Sequence, residues 1–169
     1  MSVTFHLRPA LDGDGPALGG IIATIFADYP GCYFVEEELP ELAAPASHFA
    51  GLGGSLWVVE AGGQVVGSLA VAPTRDPQVH ELFKVYLARS ARGRGLARQL
   101  LARAEATARE RGARRLRLWT DTRFVEAHRF YERNGFERLP VRRALADASD
   151  TWEFAYTRPI VTSDPDEEQ

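Results

Sequence analysis

The chain has 169 residues, 45% of them hydrophobic, and a formal net charge of −3, values that suit one globular domain able to bury a core. No apolar run approaches the ~20 residues needed to span a bilayer. The lone Cys32 excludes an internal disulfide, and His6, His48, His80 and His128 lack zinc-ligand spacing. The opening residues carry neither a basic nor an apolar signal segment. These features lead us to expect a reduced, cytoplasmic protein that holds no metal and enters no membrane.

Charge is unevenly spread. Lys84 is the single lysine, and sixteen of the nineteen arginines fall between Arg89 and Arg143, where there are six acids. Residues 1–88 hold ten acids against Arg8, Arg75 and Lys84. Such a split is either ordinary solvated surface or a basic half that receives a polyanion beside an acidic half that attracts a cation. A pI near 5.8 and the lack of a basic arm argue against nucleic-acid binding.

Taken in order, residues 3–8 alternate as a strand. Asp12 or Asp14 is placed to cap a helix reaching Asp28, with Leu18, Ile21, Ile22 and Ile25 on one side. Pro30-Gly31 ends it. A second helical stretch is expected over residues 38–50, interrupted near Pro45. Residues 56–61 and 64–72 form a hairpin across Gly62-Gly63. Residues 79–87 make the next strand. A long helix follows over residues 93–111, with Leu96, Leu100, Leu101, Ala104 and Ala108 as its buried stripe and Gly112 as its stop. Residues 115–120 read as a strand, 125–133 as a short helix, then a strand from Phe136 and a last strand over 151–157. The order predicts an α/β (α+β) fold, a mixed and mostly antiparallel sheet with helices on both faces. We expect one domain over residues 1–161 and an acidic, disordered tail over 162–169.

The most informative stretch is Arg92-Gly-Arg-Gly95-Leu-Ala97, between a strand and a helix. A helix start offers unpaired N–H groups and the positive end of a dipole. Gly93 and Gly95 let that backbone approach a ligand, and Arg92, Arg94 and Arg98 add charge. Together they make a diphosphate cradle. It is no Walker loop, because Leu96 follows Gly95, and no dinucleotide fingerprint, because Arg98 stands where a third glycine belongs.

This turn resembles the Arg/Gln-x-x-Gly-x-Gly/Ala signature of the GNAT superfamily of N-acetyltransferases. A second stretch, Ala127-His-Arg-Phe-Tyr131-Glu-Arg-Asn-Gly135-Phe136, resembles the family's Ala-x-x-Leu/Phe-Tyr-x-x-x-Gly-Phe. The resemblance implies a GNAT-like fold and transfer of an acetyl group from acetyl-CoA to an amine, without a covalent enzyme intermediate. It implies that Val85, Tyr86 and Leu87 pair with the pantetheine arm. Arg92, Gly93, Arg94, Gly95, Leu96, Ala97 and Arg98 would hold the phosphates. Tyr131 would be the general acid for the departing thiolate; the alternative is a core tyrosine bonded to a backbone carbonyl. Glu81, eleven residues before Arg92, resembles the family's catalytic glutamate. On an alternating strand it would share a face with Phe83 and Val85; the alternative is a carboxylate paired with an arginine, with a water chain as base. The family's asparagine seven residues before the tyrosine is replaced here by Phe124; either Asp121, Thr122 or Arg123 takes its contact, or the contact is missing. His128 lies off the Ala127–Tyr131 face.

The acceptor is expected against Tyr29-Pro-Gly-Cys-Tyr33-Phe-Val-Glu36-Glu37-Glu38, where rings and carboxylates suit a small cationic amine. Tyr29, Tyr33, Glu36 and Glu37 are the candidate contacts; the alternative is an acidic turn stabilising a helix start. Competing readings are an acyl-CoA-binding sensor with little catalysis and an acetyltransferase for protein N-termini or lysines. Dimers are common among relatives, so a homodimer is compatible with the resemblance.

Overall fold

The computed structural model describes residues 2–161; the tail expected to be disordered lies outside the described residues. Seven strands form one sheet: β1 (Phe5–Pro9), β2 (Ser55–Ala61), β3 (Gln64–Pro73), β4 (Val79–Leu87), β5 (Arg115–Asp121), β6 (Glu137–Ala144) and β7 (Trp152–Pro159). Their spatial order is β1-β2-β3-β4-β5-β7-β6. Every neighbouring pair is antiparallel except β4 and β5. That parallel pair is joined by helix α3 (Leu96–Glu110), the crossover a parallel connection requires. The sheet is therefore mixed and mostly antiparallel, as expected.

Period-2 alternation sorts the strands' side chains between two layers. Trp57, Val59, Leu69 and Val71 face α3, whose Leu96, Leu100, Leu101, Ala104 and Ala108 are all buried. Helix α4 (Val125–Arg133) adds Tyr131 to the same layer. Leu56, Val58 and Ala70 face the other way, onto Leu18 and Ile22 of α1 (Gly15–Ala27) and Phe49 of α2 (Pro45–Gly51).

Three boundaries differ from the sequence expectation. Asp14 precedes α1, but its carboxylate accepts from Leu11 N at 2.7 Å and from Arg8 at 2.9 Å and does not bond the helix. The second helical stretch breaks into 3-10 turns at Glu36–Glu38 and Pro40–Ala43 before α2, because Pro40 and Pro45 each fit only a first helical turn. Helix α3 starts at Leu96, since Gly93 and Gly95 have φ of +74° and +76°, outside helical space.

Two features open the sheet. Strands β4 and β5 pair only from Val79↔Arg115 to Leu82↔Leu118. Both strands continue beyond that point, β4 alongside β3 and β5 alongside β7. Strand β4 also bulges: Phe83 pairs with Ala70 and Tyr86 with Ser68, so Lys84 and Val85 together oppose Leu69. Lys84 has φ +52°, and its carbonyl accepts from Ser68 Oγ at 2.6 Å. A bulge of this kind bends a strand and re-aims its side chains.

Candidate active site

The gap between β4 and β5 joins two cavities, one of about 530 Å³ and one of about 300 Å³. Val85, Tyr86, Phe124, Ala127 and Tyr131 line both. These five residues surround the place where a group in one cavity can meet a group in the other.

The larger cavity is bounded by Val85, Tyr86 and Leu87 of β4, by Arg92, Gly93, Gly95, Leu96, Ala97 and Arg98, and by α4. Among the described residues, none of the N–H groups of residues 93–98 donates to a protein acceptor, and the first helical bond of α3 runs from Gln99 N to Gly95 O. Six consecutive free donors at the positive end of a 15-residue helix form an anion site. A Cβ at Gly93 or Gly95 would meet nothing within 4 Å; the glycines are needed for their backbone conformation. Arg92 Nε donates to Leu87 O at 3.1 Å, tying the turn to the end of β4. The Arg94 side chain departs from expectation. Its guanidinium lies 4.7 Å over the Phe5 ring, and it does not line the cavity. Arg129 and Arg133 of α4 do line it and were missed in sequence. Their i, i+4 spacing on one helix face was the available signal.

Beyond Leu82 the β5-facing edge of β4 has no strand beside it. Its backbone donors and acceptors can pair with an extended ligand, as with an added strand.

Tyr131 is 4% exposed, and among the described residues its hydroxyl has no hydrogen-bond partner. Burial pushes its pKa up, so it stays protonated and able to donate across the neutral range. It is a core tyrosine by burial, yet nothing ties off its hydroxyl.

Glu81 is not brought to this junction. It lines neither cavity, and its carboxylate accepts from Arg117 Nε on β5 at 2.7 Å. The bulge is the physical reason it parts from Val85. Phe83 and Tyr86 pack on the α1 layer, while Val85 packs with the α3 layer, so the expected shared face of Glu81, Phe83 and Val85 is broken. His128 is buried, with Nε2 at 2.9 Å from Asp121 O; burial lowers its pKa.

The smaller cavity lies under two loops. Tyr33 N donates to Ser149 Oγ at 2.8 Å, and Ala148 N donates to Glu38 Oε1 at 2.7 Å, linking the α1–α2 segment to the β6–β7 loop. Glu38, Asp121, Asp147 and Glu153 line this cavity, with Lys84 as the cation. Asp121 is held by the Arg123 guanidinium at 2.9–3.0 Å and Glu153 by Arg143 at 2.7 Å. Glu38 and Asp147 accept only from backbone N–H groups among the described residues. Of the expected acceptor contacts, Tyr33 lines this cavity. Glu36 and Glu37 are exposed and line neither cavity; Glu38 points there from the same turn. Tyr29 lines the larger cavity, its ring 4.8 Å from Phe124. Phe124, where the family has asparagine, also meets Phe26 at 5.9 Å. It builds an aromatic wall at the position where the family pattern carries a polar side chain. Cys32 is buried in the same cavity, which pushes its thiol pKa up. Among the described residues no three or more His, Cys, Asp or Glu side chains gather as a metal-holding cluster, and no helix is long and apolar enough to cross a membrane.

Comparison with known proteins adds several likenesses. The profile of the acetyltransferase (GNAT) family matches residues 22–136. An uncharacterized N-acetyltransferase of Escherichia coli (strain K12), YjgM, is 35% identical over 133 residues, covering 75% of this chain and 78% of that protein. A GNAT-family acetyltransferase from Staphylococcus aureus Mu50 superposes with TM-score 0.79 at 18% identity, over 94% of this chain and all of that one. A putative acetyltransferase of Salmonella typhimurium, yncA, solved with acetyl-CoA, superposes with TM-score 0.70 at 20% identity, over 96% and 98%. The chain spans between 39% and 57% of the length of the rodent N-acetyltransferases it also matches.

Proposed function

The chain belongs to the acetyltransferase (GNAT) family and is an acetyl-CoA-dependent N-acetyltransferase, and from that premise we propose that its acceptor is a small cationic amine held in the 300 Å³ cavity. The observation that carries this reading is the junction at Val85, Phe124 and Tyr131, where the cavity beside the free amides of residues 93–98 meets a carboxylate-lined one.

Bound acetyl-CoA supplies an activated acetyl thioester. The free N–H groups of residues 93–98 and the guanidinium groups of Arg98, Arg129 and Arg133 suit its phosphates. The unpaired edge of β4 at residues 85–87 suits its pantetheine amides. Glu38 and Asp147, the carboxylates without a cationic partner, attract an ammonium group into the smaller cavity. Tyr131 holds a proton where the thiolate departs. With Glu81 bonded to Arg117, cavity water near the carboxylates takes the acceptor's proton. The loop bridges through Ser149 and Glu38 roof the cavity and favour a small amine over a protein segment.

Two measurements test the reading. Calorimetry with coenzyme A asks whether the larger cavity binds it; thiol release with a panel of amines asks what is acetylated. Turnover of diamines and polyamines above neutral or acidic acceptors is expected. Preference for acidic acceptors would overturn the assignment of the carboxylate-lined cavity.

A further inference from the structure

We propose that Lys84 is a self-acetylation site: the enzyme transfers an acetyl group to its own single lysine when no amine occupies the acceptor cavity. This rests on the reading of the smaller cavity as the acceptor site.

Four observations lead there. Lys84 is the only lysine among 169 residues, and it lines the acceptor cavity. It immediately precedes Val85 and Tyr86, which line both cavities, so its amine hangs from the backbone segment that borders the transfer point. Its φ of +52° is a conformation that a long side chain rarely adopts, and such outliers persist where the surroundings impose them, commonly at functional sites. Its side chain is only 14% exposed and is ion-paired with Glu41, itself 17% exposed. Lysine is seldom so withdrawn from water, and the contact gives its ammonium an immediate proton acceptor.

The step balances without any further reagent. Glu41 takes one proton from the Nζ ammonium and frees its lone pair. Nζ attacks the thioester carbonyl carbon, forming a C–N bond. The C–S bond then breaks, its electron pair leaves on sulfur, and the Tyr131 hydroxyl protonates the thiolate. The remaining surplus proton on nitrogen returns to the Tyr131 oxygen through cavity water. The products are Nε-acetyl-Lys84, coenzyme A thiol and one proton released from Glu41 to solvent. The acetylated side chain has lost its charge, leaves Glu41 unpaired and adds bulk to the acceptor cavity. Amine turnover therefore slows.

The test is incubation of the full chain with acetyl-CoA and no acceptor, followed by intact mass and peptide mapping. A free peptide spanning residues 79–89 reports chemical acetylation. The expected result is one acetyl group at Lys84, gained at least tenfold faster than in the free peptide and suppressed by added amine. Lys84→Arg, with folding checked by thermal melting, should gain none at this position and should not lose amine turnover on preincubation. An unmodified Lys84, or one acetylated no faster than the free peptide, overturns the proposal, and the wild-type mapping decides even if the variant fails to fold. Amine turnover with Lys84 unmodified sinks this inference alone. Absent coenzyme A binding sinks the functional reading beneath it.

Discussion

Arg117 Nε on β5 donates to Glu81 Oε1 on β4 at 2.7 Å, across the last stretch where these two strands are paired. The arginine is 46% exposed and the glutamate 12%. A carboxylate bound this way holds neighbouring strands together just before they part and is poorly placed to take a proton from an acceptor. Glu81→Gln is expected to lower kcat less than about tenfold, short of the ~10²–10⁴-fold that losing a general base costs. Because Arg117 is half in water, the stability change should stay within about 1 kcal/mol. Steady-state kinetics decide: a loss of hundredfold or more would make Glu81 the base, acting through water.

Tyr131→Phe removes one hydroxyl that has no protein partner among the described residues. Thermal stability should therefore barely change, since no protein hydrogen bond is lost. The kcat should fall by about 10² or more if the hydroxyl protonates the thiolate, with the KM for acetyl-CoA nearly unaffected. An unchanged kcat would leave the proton donor to water.

Gly95→Ala tests the diphosphate turn through its backbone. No atom blocks the added methyl, but at φ +76° a non-glycine residue costs about 1–2 kcal/mol. The turn should relax away from this conformation, and the Kd for coenzyme A should rise about tenfold, the equivalent of roughly 1.4 kcal/mol. Gly95→Asn should be milder, because asparagine tolerates positive φ. Calorimetry on both variants checks the order; equal affinities would separate the turn from cofactor binding.

Folding stability should depend on pH through two histidines. His80 and His128 are buried, and desolvation lowers both pKa values below the ordinary value. The unfolded chain takes up protons near pH ~6.5, while the folded chain resists until lower pH. Below that value the unfolded state binds more protons, so stability falls on acidification and rises again with pH. The melting temperature should drop as pH is lowered from about 7.5 to about 5.5 and stay flat just above that window. A melting temperature that holds or climbs on acidification would contradict the burial of these rings.

Much of the fold is legible in the sequence because it is locally encoded. The α3 stripe of Leu96, Leu100, Leu101, Ala104 and Ala108 follows from helical period, and all five residues are buried. Gly62-Gly63 marks the β2–β3 hairpin, since both have positive φ, 57° and 77°, as that turn requires. The Arg92–Ala97 turn announces its free amides for the same reason.

The β4 bulge is not legible, because Lys84 carries no turn chemistry; it adopts positive φ under the pull of Ser68 Oγ on its carbonyl and the pairing of flanking residues with β3. That single extra residue separates Val85 from Glu81, and alternation read along the strand cannot anticipate it. The expected acceptor contacts show the same limit. Tyr29 and Tyr33 are four residues apart, yet they line different cavities. Tyr33 meets Ser149, and Glu38 meets Ala148, across sequence separations over which patterning carries no information.

By itself, then, the amino-acid sequence determined the helix and strand periods, the glycine turn before α3 and the tyrosine motif, since each depends on residues within a few positions of one another. Only the tertiary structure decided which side chains meet at the junction. Strand divergence after Leu82 and the bulge at Lys84 arise from competing backbone pairings, and loop closure brings the carboxylates of the smaller cavity together from distant segments. Those are long-range balances of hydrogen bonding and packing, which no local spacing records.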